Sequence, residues 1–329
     1  MADIRRAVRN SFTLANLKRG DRILLGVSGG ADSMALASAA AFEGPRAGIE
    51  VFALVVDHGL QPDSAEFTAT AVSRLQGMSV SVDSVRVQVS GAGGTENAAR
   101  DARLAALVQH AKANSIRHIA LAHTLNDQAE TVLLGLARGS GARSIAGIWP
   151  ISNFEGVVLL HPLLEISRAQ TESYCKDAGV YFWDDPHNDD PTFTRVRVRK
   201  SVLPTLEKEL GPGVIEALGR TAQLMQVDVD HLTAEAEQAY LDCVTSAPTS
   251  LEISLVKLQR LPAAISSRVV LQALRLFSQN SGSVHVAAVL ELSTDWHGQK
   301  PLTLPGVRVE RTGENLVFKS TKTLKSGAC

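Results

Sequence analysis

The sequence predicts an α/β fold: a parallel sheet with helices on both faces, then a helical linker and a small α+β C-terminal domain. Three observations carry this. Apolar, β-rich runs alternate with alanine-rich helical segments through the first half of the chain. Residues suited to chemistry fall directly after the strand-like runs, at the carboxyl edge where such sheets bind ligands. The last third changes character, with two helical stretches followed by a terminal hairpin pattern.

The strand-like runs are "RILLGVS", "EVFALVVD", "VSVDSVRVQV" and "IRHIALAH". Between them, Ser33–Phe42, Ala65–Leu75 and Glu96–Ala113 read as helices. Gly147–Pro162 is loop-rich around a short strand, "GVVLLHP", and "SRAQTESYCKDAGV" is the next helix. "WDDPHNDDPTFT" is polar, turn-rich and long enough to be a functional loop. Val202–Leu224 reads as a helical linker interrupted at "GPG", with a further helix to about Cys243. "TSAPTS" reads as a hinge and "TGEN" as a hairpin turn.

Composition narrows the function classes. The chain has 329 residues, enough for two domains, and 45% are hydrophobic, which excludes a wholly disordered protein. No apolar run approaches the roughly 20 residues that span a bilayer. The start, "MADIRRAVRNSF", lacks the apolar core of a secretory signal, so a cytoplasmic location is expected. Cys175, Cys243 and Cys329 form no C-x-x-C, which argues against a zinc ribbon or redox pair. The net charge of −1 excludes a polycation; the one dense basic cluster is Arg195, Arg197, Arg199 and Lys200.

Five stretches carry candidate chemistry. Ser28-Gly29-Gly30-Ala31-Asp32-Ser33 joins a strand to a helix. Its glycines let the backbone approach an anion, and the helix start supplies free amides and a favourable dipole. The lysine of a Walker loop is missing. Asp57 and His58 end the next strand, at the same sheet edge. Glu96, Arg100 and Arg103 share one helical face, a pattern an exposed Glu–Arg pair would also give. In "HTLNDQAET", His123 ends a strand, and Ala129, Val132, Leu133 and Leu136 form the apolar face of a helix. Asp127, Glu130 and Thr131 project from the opposite face, where a carboxylate pair suits an ammonium group or a metal, or is an ordinary solvated face. Further on, Asp185, Pro186 and Asn188 precede the arginines of "TRVRVRK". Their spacing of two aligns them on an extended segment, either to track phosphates or as a charged edge strand or solvated helix.

"SGGADS" after a strand resembles the PP-loop signature of the N-type ATP pyrophosphatases. The ordered series "SGGADS", "VDHGL", "ENAAR", "HTLNDQAET", "RGSG", "HPLL" and "DPHNDDPTFTRVRVR" is similar to the tRNA(Ile)-lysidine synthetase family over roughly residues 20–205. Asn126, His161 and Gln61 depart from that family's usual pattern. The resemblance implies a Rossmann-like PP-loop catalytic domain over 1–208, a linker over 209–245 and a tRNA-contacting domain over 246–329. It implies ATP as co-substrate, held by Ser28, Gly29, Gly30, Ala31, Asp32, Ser33, Asp57 and His58, with Mg²⁺ placed by Asp32. It implies L-lysine at His123, Asp127 and Glu130, and a tRNA(Ile) with a CAU anticodon as the acceptor. Arg100, Arg103, Arg195 and Arg199 become candidates for phosphate, carboxylate or transition-state contacts. A homodimer is one arrangement the resemblance allows, and no membrane partner is implied. Two alternatives remain at this stage: another PP-loop ligase, of the thiolase or amidating kind, or a non-catalytic nucleotide-binding protein.

Overall fold

The computed structural model describes residues 1–57, 64–87, 95–139, 141–183, 190–246, 250–278 and 280–321, with main chain only for 95–97. The chain divides into two compact units, Met1–Met225 and Gln226–Cys329.

The first unit opens with α1 (Ala2–Leu14), β1 (Arg22–Val27), α2 (Ala31–Ala47), β2 (Glu50–Asp57), α3 (Ser64–Gly77), β3 (Ser81–Arg86), α4 (Thr95–Ala113) and β4 (His118–Leu121). The expected alternation is therefore present. The chain continues through α5 (Leu125–Ala137), α6 (Ala142–Ile145), β5 (Ile151–Phe154), β6 (Val157–Leu160) and α7 (Arg168–Asp177). The sheet order is β3-β2-β1-β4-β6-β5, parallel except for β5. The chain moves outward from β1 through β2 to β3, then returns to β4 on the other side of β1. That reversal is a topological switch point, and it sets the loops after β1 and β4 side by side at the carboxyl edge.

The sheet's centre is apolar on both faces, as a parallel sheet covered by helices requires. Ile23, Leu24 and Leu25 of β1 have no exposure. Gly26 lets Leu121 and Leu107 pack close: a Cβ there would lie 2.8 Å from Leu121 Cδ2 and 2.9 Å from Leu107 Cδ1, so both side chains would have to shift. One face packs α1, α2, α3 and α7 around Met34, Leu36, Leu75 and Tyr174; the other packs α4 through Leu107, Val108 and Ala111.

Two expectations change here. The arginine segment is helical, not extended: α8 (Thr194–Arg197) runs into a π-helical turn at Val198–Val202 and then α9 (Leu203–Leu210). Val198 and Leu203 on this segment bury against Ala129 of α5, and that packing selects the helix. Arg195 and Arg199 thereby become i, i+4 neighbours facing α5. The second change follows from the same contact. The polar face of α5 is covered, so Glu130 has no exposure, whereas Leu136, placed on the apolar face, is 50% exposed.

α10 (Val214–Cys243) leads into the second unit. There, β7 (Val244–Ser246), β8 (Ser250–Ser254), β9 (Leu302–Leu304), β10 (Val307–Thr312) and β11 (Asn315–Ser320) form an antiparallel sheet ordered β7-β8-β11-β10-β9. α11 (Leu255–Leu258), α12 (Ala263–Arg275) and α13 (Ser283–Thr294) complete it. Its core gathers Ile253, Val269, Val289, Val309 and Phe318. Thr312 pairs with Asn315, so "TGEN" is the expected hairpin turn. In "TSAPTS", Thr245 and Ser246 pair with Glu252 and Leu251 of β8 in an antiparallel ladder, and residues 247–249 lie outside the described residues. Among the described residues, no helix is long and apolar enough to cross a membrane.

Candidate active site

The loop from Ser28 to Gly30 is tied at several points. Ser33 Oγ accepts the Ser28 N–H at 3.2 Å and donates to Gly30 O at 3.0 Å. The two serine hydroxyls lie 3.3 Å apart. Gly29 has φ +85°, a conformation that disfavours any residue with a Cβ. Its carbonyl accepts the Trp183 N–H at 3.0 Å. Gly30 caps α2, so the first amides of that helix open onto the loop.

Asp32, in the first turn of α2, meets α7. Its Oδ1 accepts from Thr171 Oγ1 at 2.5 Å, and its Oδ2 lies 3.3 Å from Arg168 Nε. Burial raises its carboxyl above the usual range, while the Arg168 charge and the Thr171 bond pull it back. Arg168 also reaches Asp127 Oδ1 at 3.4 Å, so one guanidinium joins the phosphate-type loop to α5. Asp127 Oδ2 accepts from Thr124 N at 2.8 Å and Thr124 Oγ1 at 2.7 Å, closing a capping box at the start of α5. Burial pushes the Asp127 carboxyl up, but Arg168, His123 and the Thr124 bonds outweigh it and hold it below its ordinary value.

Glu130 stands one turn along. Arg199 Nε donates to its Oε1 at 2.9 Å, and Oε2 is buried with no hydrogen-bond partner among the described residues. Burial raises this carboxyl; the Arg199 bond opposes the rise and the Asp127 charge adds to it. Arg195 donates to Thr131 Oγ1 at 3.2 Å. Burial, then the like charge of Arg100, push the Arg103 guanidinium below its usual value, with Asp127 pulling it back up. These groups therefore share one electrostatic neighbourhood with α5.

His123 follows β4. Its ring centroid lies 4.9 Å from that of His161, and its buried Nδ1 has no partner among the described residues. Burial, reinforced by His161, lowers His123 to about 3. Burial lowers His161 to about 4, although its Nδ1 lies 2.8 Å from Trp149 O. Both rings are thus neutral near pH 7.

The structure groups Asp32, Asp127, Glu130, His123, Arg103, Arg195 and Arg199 about the loop and α5. Asp57 is nearly buried at the end of β2, the strand beside β1, with Arg86 Nε 3.8 Å away. His58, Gln61, Asp185, Pro186, Asn188 and the Glu96 side chain lie outside the described residues. Arg168, Thr171 and Thr124 escaped the sequence reading. The sequence does signal the helix start that carries the first: Ser167 and Gln170 form a capping box, which places Arg168 in the first turn of α7.

A family model described as a PP-loop domain matches residues 3–206. The tRNA(Ile)-lysidine synthase of Leifsonia xyli is 49% identical over 307 residues, 92% of this chain and 91% of the relative. That of Thermobifida fusca is 42% identical over 324 residues, 97% of each. The chain belongs to the tRNA(Ile)-lysidine synthase family. As a tRNA(Ile)-lysidine synthase homologue with a PP-loop domain, it is an ATP-dependent ligase. Among solved structures, the U34-tRNA thiolase NcsA of Methanococcus maripaludis, with its [4Fe-4S] cluster, superposes with a TM-score of 0.58 at 18% identity. The match covers 68% of this chain and 79% of that one, a likeness of fold.

Two departures from the synthase family pattern have local roles. Asn126 Oδ1 accepts the Arg168 N–H at 2.9 Å, satisfying an orphan amide at the start of α7. That bond fixes the backbone of the residue that bridges Asp32 and Asp127. His161, the other departure, is a ring that stays neutral beside His123.

Proposed function

We propose that this chain makes lysidine at the wobble position of a CAU-anticodon tRNA(Ile). In the first step, the ring carbonyl oxygen of the wobble cytidine attacks the α-phosphorus of ATP and pyrophosphate leaves. In the second, the side-chain amine of free L-lysine attacks the activated ring carbon. The new C–N bond forms as the C–O bond breaks, AMP departs with the oxygen, and the amine gives up a proton.

The observation that carries this reading is the Arg168 bridge, with Asp32 on one side and Asp127 on the other. It sets an anion-binding loop beside a carboxylate-bearing helix face, which ATP activation of a cytidine followed by lysine attack on that same cytidine needs. Ser28 to Ser33 hold the departing pyrophosphate through amides and hydroxyls, preorganised for developing negative charge. Asp57 and His58 complete the ATP site. Asp127, kept ionised, holds an ammonium of lysine, and Glu130 offers its unpartnered Oε2 to the same substrate. Environments that push two carboxyls in opposite directions suit different roles for them. His123, neutral and with an unpartnered Nδ1, can accept a hydrogen bond from the attacking amine.

Mg²⁺ fits Asp32. Both carboxylate oxygens are engaged, yet each retains lone pairs, and Mg²⁺ commonly takes one carboxylate beside substrate phosphates. Bound there, it would neutralise charge on the leaving pyrophosphate. Arg100, Arg103, Arg195 and Arg199 supply positive charge for phosphate or for the lysine carboxylate. We assign catalysis to 1–208, a linker to 209–245 and tRNA contacts to 246–329, in the cytoplasm. The test supplies ATP, labelled L-lysine and tRNA(Ile) to the purified chain. The reading requires label in the tRNA, with one AMP and one pyrophosphate per lysine. ATP consumption without labelled tRNA would sink it.

A further inference from the structure

Trp183 lies outside every role assigned so far, yet its backbone touches the phosphate loop. We propose that Phe67 and Trp183 form an aromatic strap that orients the Gly29–Gly30 peptide, making Trp183 a positioning residue for pyrophosphate. The inference rests on reading Ser28–Ser33 as the pyrophosphate cradle.

The strap is built from two pairs. Trp183 stacks on Phe67 with ring centroids 3.8 Å apart and planes 15° from parallel. The Arg74 guanidinium sits 3.7 Å from the centre of the Tyr181 ring. Phe67 and Arg74 are seven residues apart on α3, so they share one face. Tyr181 and Trp183 are two apart on a segment without helix or ladder, so they can project to one side. Both pairs fasten residues 181–183 to α3, and aromatic stacking adds stabilisation beyond buried area.

What the strap holds is a peptide that needs holding. Gly29, at φ +85°, is the residue type with the widest backbone freedom, so its peptide can turn over at little cost. The next peptide is fixed from within the loop, where Gly30 O accepts from Ser33 Oγ and from Met34 N. The Gly29 carbonyl has one partner among the described residues, the Trp183 N–H at 3.0 Å. In a planar trans peptide the C=O and the following N–H point in opposite directions. Drawing Gly29 O toward Trp183 therefore turns the Gly30 N–H away from the strap. That N–H has no acceptor among the described residues, so it remains available to an anion. Without the strap, a flipped peptide would present a carbonyl oxygen to pyrophosphate in place of a donor.

The test measures pyrophosphate, ATP and L-lysine binding separately, by calorimetry on the full chain. Trp183→Ala should weaken pyrophosphate and ATP about ten-fold, the scale of one well-placed hydrogen bond to a charged group, with lysine affinity unchanged within about two-fold. Trp183→Phe keeps an aromatic ring on Phe67 and should restore most of the loss. Phe67→Leu, which keeps apolar bulk and removes the stack, should reproduce the Ala phenotype in a chain that folds. Unchanged pyrophosphate binding in both Trp183→Ala and Phe67→Leu overturns the proposal. An equal loss of lysine binding also overturns it, because that would be general destabilisation. If the unaltered chain binds neither pyrophosphate nor ATP, the cradle reading itself falls and takes the strap with it.

Discussion

Arg199 Nε lies 2.9 Å from Glu130 Oε1, on a carboxylate with no solvent exposure. Removing one member of such a pair leaves the other buried and uncompensated, which typically costs about 3–5 kcal/mol. Arg199→Ala should therefore lower unfolding stability by roughly 3 kcal/mol. Glu130→Gln in the same chain should recover part of that loss, because it removes the stranded charge. Urea denaturation of the two single variants and the double variant checks this as a cycle, and strict additivity would contradict the pairing.

Arg168 spans Asp32 and Asp127 with two different nitrogens. Lysine carries one compact charge and cannot reproduce a planar fork. Arg168→Lys should raise the KM for ATP and for L-lysine together, by about ten-fold each, the scale of a lost charge-assisted hydrogen bond. An effect on one substrate alone would show that the bridge does not couple the two halves of the cleft.

Asp127→Asn should separate those halves. Asn keeps an oxygen to accept from Thr124, so the cap on α5 survives, but the anion that faces lysine is gone. The expected outcome is an L-lysine KM raised ten-fold or more, about one charge-assisted contact, with ATP affinity largely kept. Loss of ATP binding with unchanged lysine binding would remove Asp127 from the role assigned to it.

His161 gives the protein a pH dependence of definite sign. Its folded value, about 4, lies below an unfolded value near 6.5, so between these limits the unfolded chain binds more protons. Its contribution is complete above pH 6.5 and is lost as pH falls toward 4. Between pH 7 and pH 5 the loss is about 2 kcal/mol. Thermal unfolding across that interval should show a smaller fall for His161→Gln than for the unaltered chain. Equal slopes would mean that the ring is not held neutral.

Much of this fold was legible because the local signals agreed with one another. β2 occupies the whole of "EVFALVVD", and α3 and α4 cover the helical segments expected of them. There, apolar pattern, residue propensity and turn chemistry all point one way. In the arginine segment, spacing by two is a strand signal only if the backbone is extended. Burial of Val198 and Leu203 against Ala129 decided otherwise, and that contact spans about 70 residues of sequence. The same distant packing buried Glu130, which α5 taken alone would leave in solvent. Asp32, Asp127 and Glu130 could be named from the sequence as candidates. That one arginine of α7 joins the first two could not, since nothing local to Arg168 encodes which carboxylates lie across the cleft.

The central claim is that the wobble cytidine receives lysine. Mass spectrometry of nucleosides from tRNA(Ile), after incubation with the chain, ATP and L-lysine, reads this directly. The account predicts that the wobble cytidine gains the mass of one lysine less one water, and that omitting ATP abolishes the gain. An unmodified cytidine in the complete reaction, or sulfur or ammonia in place of lysine, would contradict it.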